Sequence, residues 1–263
     1  MVASWLGLAV AIGFILLGQV LEGGHVSQLL QPTAAFIVFG GTLGATILST
    51  PPATLIGAVK SLGLVFFDKG RDLTPLLQQL VALANSARRD GLLSLEGSIS
   101  EIKHPFFSRF VVHIIDGYDA QLLQEMMEER IAREEESRLS VAKVWETMGG
   151  FSPTVGILGA VLGLIHVMSN LSDSSKLGAG IAVAFVATVY GVGFANLVVL
   201  PIANKLKHLA KRDIEEMQVI ATGLICIQNG LSHRIVENRL TNLLGEHSKR
   251  TDRESLKMEK QVA

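Results

Sequence analysis

Side chains able to carry a proton or hold a cation are scarce in the long apolar stretches of this 263-residue chain. Residues 147–172 and 177–204 contain no Asp, Glu, Lys or Arg, and the polar groups that stand out there are Thr154, His166, Thr188, Tyr190 and Asn196. Hydroxyl groups inside a helix usually donate to a carbonyl of their own helix. Thr188, about midway along the second stretch, is still the best candidate to face an ion path. Because intramembrane proton relays generally use carboxylates, this chain alone should not conduct protons well; if it is part of an ion machine, a partner chain must bring that group.

Two prolines lie at matching ends of these stretches: Pro153 near the start of the first and Pro201 near the end of the second. Each lacks the N–H that would bond the carbonyl four residues earlier, which is that of Gly149 or Leu197. In lipid a freed carbonyl needs another partner. A static kink, a hinge and a polar stop on an ion path all fit these positions.

Small residues recur at helical spacing in the same regions. Gly40-xxx-Gly44 and Gly159-xxx-Gly163 are small-xxx-small patterns, to which Gly156, Gly191 and Gly193 add. Such surfaces let helices approach closely. They predict tight packing within the chain, or contacts with further subunits.

Several functional classes are disfavoured by the residue patterns. The chain lacks a phosphate-binding glycine loop followed by Lys and Ser or Thr, and its seven histidines lack metal-ligand spacing. No Ser/His/Asp or Cys/His arrangement stands out, so we expect neither an enzyme nor a bound cofactor. A net charge of −1 argues against nucleic acid as a partner, and the single Cys226 implies no disulfide.

The elements that position these residues are predicted to be membrane helices, since a crossing needs about 20 apolar residues. Four runs carry no charge: Met1–Leu21, Val26–Val59, Thr147–Ser172 and Leu177–Asn204. The second of these runs holds one crossing, from about Thr33 to Thr50. The first Lys or Arg is Lys60, so the first run lacks the basic start of a signal peptide and is interpreted as an uncleaved helix.

Orientation follows from the 23 Lys and Arg residues, of which eleven lie in residues 60–146, eleven in 205–263 and one at Lys176. Cationic loops stay in the cytoplasm. We therefore expect a multi-pass inner-membrane protein with both termini in the cytoplasm and two short hairpins outside.

The predicted fold class is an all-α integral membrane protein with four transmembrane helices and a helical cytoplasmic domain. Residues 1–59 form the first two spans with a short periplasmic hairpin, 60–146 a cytoplasmic helical domain, 147–204 the third and fourth spans, and 205–263 a cytoplasmic tail. Helices are expected near Leu76–Leu83 and Phe106–Ile115, from about Asp119 directly into the third span, over Lys205–Gln228, and near Ile235–Leu244. The end, "HSKRTDRESLKMEKQVA", is expected to be disordered.

Several motifs resemble the A subunits of bacterial flagellar stators, the MotA/PomA family, over nearly the whole chain. They are "LEGGH" (21–25), "FGGTLGA" (39–45), "ARRDGLLSLE" (87–96), "DGYDAQLL" (116–123), "FSPTVGILGAVLGLIHVM" (151–168), "IAVAFVATVYGVGFANLVVLPIANKL" (181–206) and "CIQNG" (226–230). The blocks in the third and fourth spans also suit the wider family that includes ExbB and TolQ, whereas the N-terminal blocks favour the stator branch.

The resemblance implies five copies of this chain around a dimer of a B subunit (MotB/PomB-like) whose membrane helix bears the proton-accepting Asp. Ion flow would rotate this ring, which would push on the rotor protein FliG. Arg88, Arg89 and Glu96 match the family's rotor-facing charges, although the acidic residues that often follow are replaced by Ile99 and Ser100.

Family positions also imply an ion path. Pro153, Pro201 and Thr188 match the two prolines and the threonine that line it in the family. Sodium-driven relatives carry threonine where this chain has Ala160, whose methyl offers no oxygen ligand, so a proton is expected rather than Na⁺.

Two alternatives remain open at this point. An ExbB/TolQ-type subunit would use the same helices to energise an outer-membrane system. A passive membrane scaffold would only dock partners, and substitutions at Pro153 or Thr188 would then alter nothing but stability.

Overall fold

The fold is given by a computed structural model that describes the backbone of residues 2–68, 70, 72–171 and 174–243, with side chains from residue 5 and, after the gap at 172–173, from residue 177. Over these residues every regular element is a helix, which confirms the predicted all-α class. The predicted disordered end at residues 247–263 lies outside the described residues. Chain contacts divide the molecule into two units: an apolar unit, Met1–Lys69 with Ser137–Ala210, and a second unit, Gly70–Glu136 with the described residues from Lys211 onward.

The apolar unit begins with α1 and a 3-10 turn, and continues through a helix that a π-turn divides into α2 and α3. The bounds are α1 Val2–Leu21, the 3-10 turn Val26–Leu29, α2 Pro32–Ala35, the π-turn Phe36–Gly40 and α3 Gly41–Ser49. Helix α4, Pro52–Phe67, follows after a break. The expected end of the second span near Thr50 is confirmed, because that residue has an extended backbone. The sequence prediction missed α4, since the proline pair was interpreted as an end and not as a start; Pro52 is the first helical residue, where a missing N–H costs nothing.

Six more helices, α5 to α10, follow in the described part of the chain. The bounds are α5 Thr74–Asp90, a 3-10 segment Leu92–Glu101, α6 Pro105–Ile115, α7 Ala120–Ser169, α8 Ser174–Gly193, a π-turn Phe194–Val199 and α9 Leu200–Gln228; helix α10 covers residues 233–243. The prediction of one unbroken helix entering the third span is confirmed by α7, which continues through Pro153. Gly91 and Gly230, at positive φ, end α5 and α9 as the turn signals predicted.

Three stretches of the described residues are long and apolar enough to cross a membrane: Pro32–Ser49, and parts of Ala120–Ser169 and Leu177–Gln228. Helix α1 adds a shorter apolar stretch, Trp5–Leu21. Many of their large apolar side chains are exposed, such as Phe14, Leu48 and Phe185. Exposure of this extent is typical of helices whose outer faces contact lipid or other chains.

The second unit has a core of large side chains. Leu80 of α5, Phe107 and Ile114 of α6, and Leu224 of α9 are each at most 1% exposed, and Leu240 of α10 is fully buried with them. Amphipathic helices in water bury an apolar face in this way. The unit is therefore held by side-chain burial of the kind found in soluble domains.

Candidate ion-path site

Glycine brings α7 and α8 into backbone contact. A Cβ on Gly156 would lie 2.9 Å from the carbonyl oxygen of Ala187, and a Cβ on Gly191 would lie 2.7 Å from that of Ser152. About two turns further along α7, a Cβ on Gly163 would lie 2.8 Å from the backbone nitrogen of Ala184. No side chain fits between the helices at these positions. The glycine prediction is thus confirmed as packing within the chain for α7 and α8.

The same pattern is not used in the second span. Neither Gly40 nor Gly44 has an atom within 4 Å of an added Cβ, whereas Gly41 lies against Val155. The Gly40-xxx-Gly44 face therefore has no contact of this kind within the described residues.

A buried hydrogen bond joins α7 to α8 beside the glycine contact. The hydroxyl of Ser152 donates to the carbonyl oxygen of Gly191 at 2.9 Å, and Ser152 is fully buried. Pro153 follows it directly and is half-buried. The hydroxyl gives the backbone of α8 a polar partner at the level where Pro153 has removed a helical bond from α7.

Ala160 and Thr188 flank one point of the α7–α8 contact. A Cβ on Gly159 would lie 2.8 Å from the Cβ of Ala187, and the two predicted path residues are the next residues along their helices. Both are half-buried. The structure thus gathers Pro153, Ala160 and Thr188 along the contact between the two helices.

Pro201 is placed differently. Its side chain is exposed and lines a groove with residues of α1 and α4. The π-turn Phe194–Val199 directly precedes it, and there the N–H of Leu200 donates to the carbonyl five residues earlier, Ala195. A π-turn shifts the bonding register by one residue, which accommodates the N–H that Pro201 lacks. Pro201 therefore lines this groove, while its neighbour Leu200 lies against α7, where a Cβ on Gly149 would lie 2.6 Å from the Leu200 side chain.

Most polar side chains of these helices bond locally. The hydroxyl of Thr188 donates to the carbonyl of Phe185 at 2.6 Å, Thr154 donates to Phe151 at 2.7 Å, and the Asn196 amide donates to Val192 at 2.9 Å. Back-bonding of this kind satisfies a hydroxyl without water. Thr188 would have to leave Phe185, or accept an additional bond through its lone pairs, to contact an ion path.

Tyr190 makes a contact that sequence reasoning did not find. Its hydroxyl donates to the carbonyl of Leu29 and accepts the N–H of Gln31 at 3.3 Å, so it satisfies two backbone groups at the break before α2. Its ring stacks on Phe39 at 5.6 Å, and Phe39 meets Phe194 edge-on at 5.1 Å. Phe39 and Phe194 belong to the two π-turns, so these irregular segments face each other through one aromatic cluster.

The three predicted rotor-facing residues are exposed and lie in the second unit. Arg88 and Arg89 occupy the last turn of α5, and Glu96 lies in the 3-10 segment beyond Gly91. Arg88 and Arg89 also line one surface depression with Asn85 and Ser86. The chain turn at Gly91 thus presents basic and acidic residues on successive segments.

Asp90, which sequence reasoning used only as a turn signal, pairs with Arg89. Nη2 of the guanidinium donates to Oδ2 of that carboxylate at 2.8 Å, and Nε donates to Oδ2 at 3.0 Å and to Oδ1 at 3.1 Å. This hydrogen bonding holds the pKa of Asp90 below its ordinary value and raises the pKa of Arg89. Arg89 therefore presents a charge that is already partly compensated, unlike a lone arginine.

The chemistry of the site is limited by what these helices contain. Within the described residues, no group of three or more His, Cys, Asp or Glu side chains could hold a metal ion. Sequence reasoning missed Ser152, whose signal was a serine directly before a proline, and it noted Tyr190 as a polar group without predicting its contacts. The arrangement can form a dry, close-packed wall with a few polar groups.

Two sequence profiles define the class of protein to which this fold and wall belong. Residues 98–219 match the MotA/TolQ/ExbB proton channel family, and residues 5–91 match the motility protein A N-terminal family. The first match includes α7 through most of α9, which carry the glycine contact, and the second includes α1 to α5.

Individual relatives narrow the class. Motility protein A of Helicobacter pylori (strain 26695) is 36% identical over 239 residues, covering 91% of this chain and 93% of the relative. Chemotaxis protein PomA of Vibrio alginolyticus is 30% identical, covering 93% and 95%. The chain belongs to the motility protein A family, and its function is that of a proton-channel subunit of the flagellar stator.

Solved structures agree with this assignment. The structure of C. jejuni MotAB superimposes with a TM-score of 0.87 at 32% identity, covering 92% of this chain and 94% of that chain. The flagellar MotAB stator complex from Bacillus subtilis gives a TM-score of 0.82 at 32% identity, covering 90% and 93%. The fold is thus shared with two stator complexes.

Proposed function

We propose that this chain conducts protons together with a single-span, MotB-like partner whose membrane Asp supplies the titrating group. The observation that carries the proposal is the α7–α8 wall, which has a thin glycine contact and no carboxylate in residues 147–171 or 177–204. A proton path needs a group that titrates, and beside the glycine contact Ser152 and Thr188 offer hydroxyls that bond to carbonyls. The two related structures are titled as MotAB complexes, which supports a partner of this kind.

We infer an inner-membrane protein with four spans and cytoplasmic termini. Helix α1 has 20 residues and carries no charge, so at 1.5 Å per residue it reaches about 30 Å, the thickness of the hydrocarbon core. The distribution of Lys and Arg supports the orientation. On this basis the second unit, with the rotor-facing residues, lies in the cytoplasm.

Assembly is proposed as five copies around two partner chains. Helices α7 and α8 leave a row of large apolar side chains exposed, and these side chains are too numerous to face water; examples are Ile157, Leu158, Ile165, Phe185 and Val189. Sister copies and the partner helix would cover part of this surface. The exposed Gly40 and Gly44 offer a further face on which a helix could approach closely.

Torque is proposed to pass from the second unit to FliG through Arg88, Arg89 and Glu96. All three are exposed and none lies in the core, so they are free to contact a partner. Exposed charge pairs contribute roughly 0–1 kcal/mol each, which suits a contact that forms and breaks at every step. Arg88 has the stronger role in this proposal, since Arg89 already pairs with Asp90.

The ion is proposed to be a proton because the position that distinguishes sodium-driven relatives is Ala160. Its half-buried methyl beside the Gly159–Ala187 contact offers no oxygen to a cation. Pro153, Thr188 and Pro201 are proposed to shape the path that the partner's carboxylate contacts.

The experiment is to co-express the chain with a MotB-like partner in cells that lack their own stators. Swimming speed is then measured while external sodium varies at constant pH. We expect speed to be independent of sodium, and Thr188→Val to lower it with the complex still purified intact. Strict sodium dependence would overturn the proton assignment; failure to co-purify with the partner would overturn the proposal itself.

A further inference from the structure

A groove of about 360 Å³ opens on the apolar unit between α1, α4 and the start of α9. Its walls are Gly7 and Ala11 of α1, Phe66 of α4, and Leu197, Pro201 and Lys205 around the beginning of α9. Gly7 leaves room on the α1 side, because nothing lies within 4 Å of its added Cβ. The volume falls within the range of about 300–1,000 Å³ that is usual for ligand sites.

The lining of the groove combines one charged residue with mostly apolar ones. Lys205 is that charged residue, and no ion pair or hydrogen bond joins it to another side chain in the described part of the chain. Phe66 of the lining also meets Trp5 of α1, with ring centroids 4.7 Å apart. Trp is enriched at the headgroup level of membranes, and Lys there attracts anionic lipid.

The direction of α1 adds to the positive charge of Lys205. Gly7 and Leu8 lie within the first two turns of α1 and line the same groove as Lys205, so the N-terminal part of α1 borders it. The positive end of a helix dipole favours an anion. Lys205 and the N-terminal part of α1 therefore both favour a negatively charged headgroup.

The interior of the groove suits a hydrocarbon chain. Leu8, Val65, Val198 and Ile202 complete its lining, and Pro201, which is exposed, faces it. Asn196, the polar side chain among these residues, already donates to the carbonyl of Val192. Water would find few partners here, whereas an acyl chain would cover the half-buried side chains of Leu8, Leu197 and Val198.

We propose that this groove binds one acyl chain of an anionic phospholipid, with the phosphate at Lys205. The inference rests on the membrane placement given under the proposed function. It links lipid to Pro201, because the occupant would contact the proline and the π-turn before it. The occupant would thus contact the start of α9, where Leu200, next to Pro201, packs against Gly149 of α7.

The test is native mass spectrometry of the full-length chain co-purified with its partner. The complex is mixed with phosphatidylglycerol or phosphatidylcholine of identical acyl chains, and bound lipid is counted per complex. We expect phosphatidylglycerol to bind about fivefold more tightly, since one lysine near an anionic headgroup contributes about that factor. Lys205→Gln should remove this preference. Lys60→Gln is the matched control, because Lys60 is exposed on α4 and does not line the groove.

A second variant separates the groove from surface charge. Ala11→Phe should fill the groove and lower binding of both lipids, with Lys205 intact. Retention of the preference in Lys205→Gln, or its equal loss in Lys60→Gln, would overturn the proposal. A second copy of the chain could instead occupy the groove; Ala11→Phe would then break the oligomer without changing lipid binding, which also overturns it. The measurement requires no ion flow, so a failed conduction assay and a failed lipid assay are distinguishable.

Discussion

The two units of this chain pack their helices against one another in opposite ways. In the apolar unit, α7 and α8 meet through Gly156, Gly163 and Gly191, with backbone against backbone. In the second unit, helices are separated by large buried side chains such as Phe107 and Leu224. The difference follows from the solvent, since lipid provides no hydrophobic force between helices and leaves close packing and hydrogen bonds to hold them.

The comparison also explains where polar groups occur. Ser152 and Tyr190 each bond to backbone carbonyls of another segment inside the apolar unit, where an unpaired carbonyl has no water. In the second unit, charged side chains remain exposed and pair along the helix surface, as Arg130 does with Glu134. Polar side chains in the apolar unit therefore fix geometry, whereas those of the second unit are available to partners.

The largest effect is expected for Phe107→Ala in the second unit. Phe107 is fully buried, so the substitution removes its packing and leaves a cavity, lowering the free energy of unfolding by about 3–5 kcal/mol. Chemical denaturation of the purified protein, followed by circular dichroism, measures it. Leu93→Ala is the control, because Leu93 is 71% exposed and should cost little. An equal loss of unfolding free energy in Phe107→Ala and Leu93→Ala would show that side-chain burial does not hold this unit together.

A smaller but site-specific effect is expected for Gly191→Ala in the apolar unit. The added methyl would lie 2.7 Å from the carbonyl oxygen of Ser152, and backbone on both sides must shift, so we expect a loss of about 1–3 kcal/mol. Gly193→Ala, two residues later on the same helix, meets nothing within 4 Å and serves as control. Thermal unfolding in detergent distinguishes the two variants. If both lose the same stability, the glycine contact is not what holds α7 to α8.

Tyr190→Phe should lower the stability of the apolar unit by less than Gly191→Ala does. The ring and its stacking on Phe39 remain, whereas the bonds to Leu29 and Gln31 are lost, at about 0.5–1.5 kcal/mol each. Hydrogen exchange of the segment around Gln31 should accelerate, since its N–H loses its acceptor. Tyr190→Leu, which also removes the ring, should be more severe; unchanged exchange in Tyr190→Phe would contradict the role given to the hydroxyl.

The smallest effect is expected for Asp90→Asn on the exposed face. Because pairing with Arg89 lowers the folded pKa of Asp90 from its ordinary value of 3.8, the pair contributes stability above that value and loses it as the pH falls through the folded pKa. The difference in thermal midpoint between wild type and variant should thus be constant from about pH 5 to 8 and vanish in stronger acid. Arg89→Gln should give the same curve. A difference that changes near neutral pH would place another titrating group at this pair.

Much of the fold was accessible from the sequence, because periodicity and charge placement act locally. The unbroken helix α7, the α5 stop at Gly91 and the turn at Gly230 follow from residue types at those positions. Helix α4 was missed since Pro51 and Pro52 end one helix and begin another, and the residue types alone do not distinguish the two uses.

Only part of the candidate ion-path site could be predicted from the sequence. A glycine at helical spacing predicts a close approach, but which helix approaches is decided by tertiary packing, and Gly40 and Gly191 differ in this although both match the pattern. The partners of Tyr190 and Ser152 are distant in sequence, so no local signal identifies them. The family resemblance supplied the roles of Pro153, Ala160, Thr188 and Pro201, which remain proposals for this chain.

The π-turn at Phe194–Val199 has an evolutionary consequence. It holds one residue more than an α-helix of the same rise, so every later residue is rotated by about 100° from where an uninterrupted helix would place it. Loss of a single codon in this segment would straighten the turn and still leave a helix. An alignment of distant stator chains could therefore carry a one-residue gap within this membrane helix. In a chain with that gap, Pro201 and Lys205 would lie at a position rotated around the helix axis.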